Sequence, residues 1–137
     1  MELRTERPAA LPAAAILYIK GNVDGSNYQE LIQQGRALYA DGARQMVLEL
    51  SECVYMSSSG LVALNALSKL LRGESLPNLE DGWAVLKTMD DARGMTGKPQ
   101  IVLVNPTTRV ERVLELAGLK TMLPLYPDMA SALAALA

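Results

Sequence analysis

The chain has no histidine and one cysteine in 137 residues. A Ser-His-Asp triad, a Cys-His nucleophile pair and a zinc site of Cys and His ligands are thereby excluded. The lone thiol, Cys53, can form no internal disulfide, and its apolar setting reads as a small core side chain rather than a reactive group. No stretch approaches the roughly 20 apolar residues that a membrane helix needs. The opening "MELRTERPAA" is charged where a signal peptide turns apolar, so a cytoplasmic protein with no membrane partner is expected. Lysine and arginine are nowhere clustered, and 13 of them stand against 15 acidic residues for a net charge of -2. That balance offers no track for a polyphosphate backbone, and nucleic acid is not expected as a direct partner.

What is present suits one domain. Half of the residues are hydrophobic and only 4% aromatic, enough in a chain of this length to bury a real core. "AAAILYIKG", residues 13–21, sets Leu17 and Ile19 on one face and Tyr18 and Lys20 on the other before a glycine, the pattern of a strand. "ELRTE" reads as a short edge strand before it, turned by Pro8 and Pro12. "QMVLELS", residues 45–51, and "QIVLVN", residues 100–105, are the short apolar runs of buried parallel strands.

Between them, "SNYQELIQQGRALYADG" stripes Tyr28, Leu31, Ile32, Leu38 and Tyr39 as a helix, with Ser26 and Gln29 at capping-box spacing and Gly42 as the stop. "PTTRVERVLELAGL" starts at Pro106 and Thr107, stripes Val110, Val113, Leu114 and Ala117, and stops at Gly118. "PDMASALAALA" reads as a final helix begun by Pro127 or Asp128. Strands and helices alternate, so the expected fold class is α/β: a mixed, mostly parallel sheet of 4–5 strands with helices packed on it.

"YMSSSGLVAL", residues 55–64, carries the chemistry of interest. A helix from about Ser59 to Leu71 follows the serines, apolar over most of its circumference, with Asn65, Ser68, Lys69 and Arg72 as its polar stripe. Such a helix must be covered on more than one side. For the serines, one reading is capping, in which Ser57 or Ser58 accepts a free N–H of the first turn, worth about 1 kcal/mol. Another is modification, since the positive end of a helix favours a phosphate on a serine there. A strand-to-turn nucleophile fails, because Met56 or Ser57 stands where the G-x-S-x-G elbow needs its first glycine and no histidine exists to take the proton. "GMTGKP", residues 94–99, lacks the four-residue spacer of a phosphate loop and has Pro99 where the magnesium-binding hydroxyl belongs.

"LYIKGNVDGSNYQEL", "LELSECVYMSSSGLVALNAL" and "IVLVNPTTRVERVLELAGL" together resemble the STAS domain of bacterial anti-sigma-factor antagonists, over about residues 14–72 and 100–136. The family's Gly-x-hydrophobic-Asp turn is matched by Gly21, Val23 and Asp24. Its Asp-Ser-Ser/Thr-Gly helix start is matched by Ser58, Ser59 and Gly60, with Ser57 at the acidic position. The resemblance implies phosphorylation at Ser59, with Ser58 as the alternate, and a partner-binding neighbourhood of Asp24, Ser57, Ser58 and Gly60. It further implies a partner switch: the unmodified domain binds a serine-kinase anti-sigma factor and frees a sigma factor, phosphorylation ends the binding, and a protein phosphatase resets it. The protein is then a substrate rather than an enzyme, with no cofactor, no metal and no catalytic residue.

Residues 73–98 form an insertion between the second helix and the following strand of this single domain, residues 1–137, where such domains pass in a few residues. It holds five acidic and three basic residues, so its balance equals the net charge of the chain. Within it "DGWAVLKTMDDARG" has the stripe of a short amphipathic helix, and Trp83 is expected against Leu64, Leu67 or Leu71. A second reading keeps the fold and makes the module a scaffold or a nucleotide sensor with weak nucleotide binding, supported by Ser57 and the insertion. A small enzyme using Asp24 and Glu52 has no paired constellation behind it.

Overall fold

The computed structural model describes residues 1–72, 100–119 and 123–137. Strand β1 (Glu2–Glu6) turns into β2 (Ala14–Val23), which leads to α1 (Tyr28–Ala40), β3 (Gln45–Glu49), β4 (Cys53–Met56), α2 (Ser58–Leu71), β5 (Ile101–Val104), α3 (Thr108–Leu116), β6 (Leu125–Tyr126) and α4 (Met129–Leu136). The strand order is β1-β2-β3-β5-β6, with β4 paired to β2 beside this path. β1 is antiparallel to β2 and every other pairing is parallel. The mixed, mostly parallel sheet expected from the sequence is therefore present. It has two strands too short for periodicity to reveal, four-residue β4 and two-residue β6.

The apolar runs are explained by burial on both faces of the sheet. Along β2, Ala15, Leu17 and Ile19 enter the main core, while Ala14 and Ile16 enter a smaller core on the other face. The register aligns Leu17, Leu48, Leu103 and Leu125 as one transverse row across four parallel strands. α1, α2 and α3 contribute to the main core, and α4 closes the other face with Ala132 and Leu136. Leu17, Leu48 and Leu103 are fully buried and Leu125 partly so, and full burial of a leucine contributes about 1.5–3 kcal/mol before entropy is counted.

α2 is covered on two sides, as its composition demands: Gly60 to Leu67 are all buried, and α1 lies along it with Gly35 against Leu67. Asn65, expected on a polar stripe, is 1% exposed, because the stripe faces protein rather than water at that point. The helix stops match the glycines. At the end of α1, Gly42 (φ 104) donates to the Tyr39 carbonyl and Ala43 donates to the Leu38 carbonyl, the paired bonds of a Schellman motif. Gly118 (φ 76) closes α3 in the same left-handed region, although Ala117, assigned to the apolar stripe, is exposed. The insertion at 73–98, its amphipathic helix and Trp83 lie outside the described residues.

Candidate functional site

β2 outruns β3. Its last residues pair instead with β4, through Gly21 with Cys53, Asn22 with Tyr55 and Val23 with Met56. Val54 is the extra residue of a bulge between the first two pairs, so Val54 and its neighbour Tyr55 both reach solvent, 54% and 36% exposed. Cys53 and Met56 point inward and are fully buried. Burial pushes the Cys53 thiol up to about 11, which fits an unreactive core side chain.

The parallel pairing ends by fixing the start of α2. Ser57 donates its N–H to the Val23 carbonyl at 2.9 Å, and its own carbonyl accepts the Leu61 N–H at 3.2 Å. Its backbone is extended (φ -83, ψ 178) and it holds the N-cap position, yet its side chain caps nothing. Its Oγ is buried without a hydrogen-bond partner. The capping expected of this serine is thus absent, because the hydroxyl is turned into the protein instead of toward the first turn. Ser58 is exposed and Ser59 half-buried in that first turn, where no acidic residue occurs. Gly60 is a close-approach residue: a β-carbon there would stand 2.4 Å from Met56 Cγ and 3.1 Å from Val23 Cγ1.

The turn after β2 carries Asp24. Its carbonyl accepts the N–H groups of Asn27 (3.2 Å) and Tyr28 (2.9 Å). Its Oδ1 accepts the Ser26 N–H at 2.9 Å and the Ser26 hydroxyl, while Asn27 Oδ1 accepts the Asp24 N–H at 3.0 Å. The expected capping box does not form, since Ser26 is engaged with Asp24 and the N-cap of α1 is Asn27. The Ser26 hydroxyl, then the Ser26 backbone N–H, hold the Asp24 carboxyl below its ordinary value. This turn lies against α2, with Ser59 Oγ 3.6 Å from where a β-carbon on Gly25 would be. Asp24, Ser57, Ser58, Ser59 and Gly60 are thereby gathered outside the carboxyl ends of β2 and β4.

A neighbouring surface went unread in the sequence. Thr107 donates its hydroxyl to the Cys53 carbonyl at 3.1 Å and accepts the Val110 N–H, docking the start of α3 on β4. Arg109, in the first turn of α3, sits with its guanidinium 5.1 Å from the centre of the Tyr55 ring. Two adjacent large side chains just before the serines were the available signal, but only the bulge shows that both face outward. Glu52, the other carboxylate named with Asp24 for a small enzyme, lies 3.8 Å from Lys20. It lines an open cleft of about 350 Å³ with Arg4, Tyr18 and Glu49. Among the described residues no three metal-ligating side chains cluster, and no helix is long and apolar enough to cross a membrane.

The sequence matches the STAS domain family over residues 6–76. No curated protein sequence matches it. The fold is similar to that of a proposed anti-sigma factor antagonist from Thermotoga maritima, at 18% identity and a TM-score of 0.66, covering 98% of this chain and 93% of that one. An anti-sigma factor antagonist from Mycobacterium paratuberculosis gives 21% identity and a TM-score of 0.66, over 98% of this chain and 92% of that one. The anti-sigma factor antagonist SpoIIAA in its unphosphorylated form gives 14% identity and a TM-score of 0.59, over 96% and 93%. The phosphorylated form of the same Bacillus protein gives 13% identity and a TM-score of 0.52, over 97% of each chain. With more than half of its length matched and the same arrangement of strands and helices, the chain belongs to the STAS domain family.

Proposed function

We propose that this chain is an anti-sigma factor antagonist controlled by phosphorylation of Ser59. The unmodified domain binds a serine-kinase anti-sigma factor through the Asp24 turn and the first turn of α2, the kinase then places a phosphate on Ser59 and ends the binding, and a protein phosphatase restores it. The observation that carries this reading is the placement of Ser59: a half-buried serine in the first turn of α2, its hydroxyl beside the Asp24–Ser26 turn. The buried Ser57 hydroxyl is a poor acceptor by comparison, and the exposed Ser58 is the alternate.

The sign of the helix field sets the mechanism. A phosphate brings about -1.5 to -2 charges to the positive end of α2, which is neutral or mildly favourable for the domain itself. Release therefore comes from the interface, where that charge has to be desolvated or meets acidic groups. A penalty of about 3 kcal/mol weakens binding roughly a hundredfold. In this reading the chain supplies an acceptor hydroxyl and a docking surface, and the catalytic groups belong to the kinase and phosphatase.

The test is incubation of the full chain with ATP and a serine-kinase anti-sigma factor, followed by mass mapping and a binding assay. One phosphate at Ser59 with loss of the complex is expected. Phosphate confined to Ser57 or Ser58 sinks the assignment, and a chain that binds the kinase but takes no phosphate is a scaffold rather than a switch.

A further inference from the structure

Gly25 is the second residue of the turn that leaves β2, closed by the Asn27 N–H on the Asp24 carbonyl. Nothing in its backbone calls for glycine, since its φ lies outside the left-handed region. Nor does packing, because Gly25 is exposed. Apart from chain neighbours, a β-carbon built there meets one heavy atom within 4 Å among the described residues, and that atom is Ser59 Oγ at 3.6 Å. Gly60 is the contrasting case, where a β-carbon collides with Met56 and the glycine is needed for packing.

We infer that Gly25 is an access residue: its missing side chain keeps the approach to the Ser59 hydroxyl open. A contact of 3.6 Å is ordinary van der Waals distance, so alanine fits, whereas a longer side chain at 25 lies across the hydroxyl and excludes an incoming reagent or active site. Ser58, exposed and one residue earlier, is not the atom this position touches. The biological meaning of the opening rests on Ser59 being the modified serine, but the opening itself is a matter of geometry and is measured without any kinase.

The measurement uses a thiol as the probe atom. Ser59→Cys in the full chain places a reactive group at the hydroxyl position, while Cys53 stays silent through burial and a thiol pushed up to about 11. Alkylation by iodoacetamide, followed by mass spectrometry, is compared for Ser59→Cys alone and with Gly25→Ala or Gly25→Leu. Ser58→Cys with and without Gly25→Leu is the control. Leucine at 25 is expected to slow labelling at 59 by about tenfold or more, alanine by little, and labelling at 58 not at all. Equal rates at 59 with glycine and leucine, or equal slowing at 58 and 59, overturn the inference. Should Gly25→Leu fail to fold by circular dichroism, Gly25→Gln gives the same comparison with a side chain suited to an exposed turn.

A phosphorylation arm separates this inference from the switch. If labelling is gated as expected and the parent takes no phosphate, access stands and the switch reading fails. If the parent takes phosphate at Ser59 while labelling at 59 is equally fast with glycine and with leucine at 25, the switch stands and the access inference fails.

Discussion

Ser57 donates its backbone N–H to the carbonyl of Val23 at 2.9 Å, tying the N-cap of α2 to the last residue of β2. Through this bond the two turns that carry Asp24 and Ser59 share one rigid frame, and changes in either are felt as changes in one site.

Ser59→Asp is expected to keep its melting temperature within a few degrees of the parent and to lose the anti-sigma partner, with only part of the effect of phosphate because aspartate carries less charge. Ser59→Ala should keep the partner and resist phosphorylation. Calorimetry and titration binding check both. A steep fall in melting temperature for Ser59→Asp, with the domain itself disrupted, removes the interface mechanism.

Ser57→Ala should be neutral or slightly stabilising, against the loss of about 1 kcal/mol usual for an N-cap serine, since its buried hydroxyl has no bond to lose. Thr107→Ala, which gives up both the Val110 cap and the bond to Cys53, should lose about 1–2 kcal/mol. Urea unfolding of the two variants tests the contrast, and equal losses contradict it.

Gly60→Ala should destabilise the domain by roughly 1–3 kcal/mol, because Met56 and the stiff Val23 side chain have to give way. A melting temperature equal to the parent's would show that the strands yield freely to the helix.

Asp24 titrates below its ordinary value because Ser26 donates to its ionised form. A depressed folded pKa means stability that is present above the unfolded value of 3.8 and is lost as pH falls through the lower, folded one. In NMR titration Ser26→Ala should raise the Asp24 pKa toward 3.8 and flatten that part of the acid limb. No movement of the Asp24 titration would mean that the hydroxyl bond is not made in solution.

By itself the sequence determined the elements whose signals are local. The double-sided burial of β3 and β5 was written in their short apolar runs, because a parallel strand covered on both faces has few polar positions to alternate, whereas the two faces of β2 read as one apolar and one polar and only the fold shows Ala14 and Ile16 in a second core. The ends of α1 and α3 were legible at Gly42 and Gly118, and the start of α4 at Asp128, which accepts the Ser131 N–H at 2.8 Å, since such signals act within a turn of the chain. The "SSSG" stretch marked where to look.

The tertiary structure decided which serine does what. Ser57 turns inward and caps nothing, Ser26 serves Asp24 instead of a capping box, and Asn65 is buried on a helix enclosed by α1 and the sheet. None of these could be read locally, because each hydroxyl or amide had several partners within reach along the chain and the choice was made by packing across it. The meeting of the Asp24 turn with Ser59, and the outward throw of Val54 and Tyr55, depend on β4 pairing with the far end of β2 through a bulge. A four-residue strand is too short to show a period of its own, and its register is fixed by the partner strand it joins.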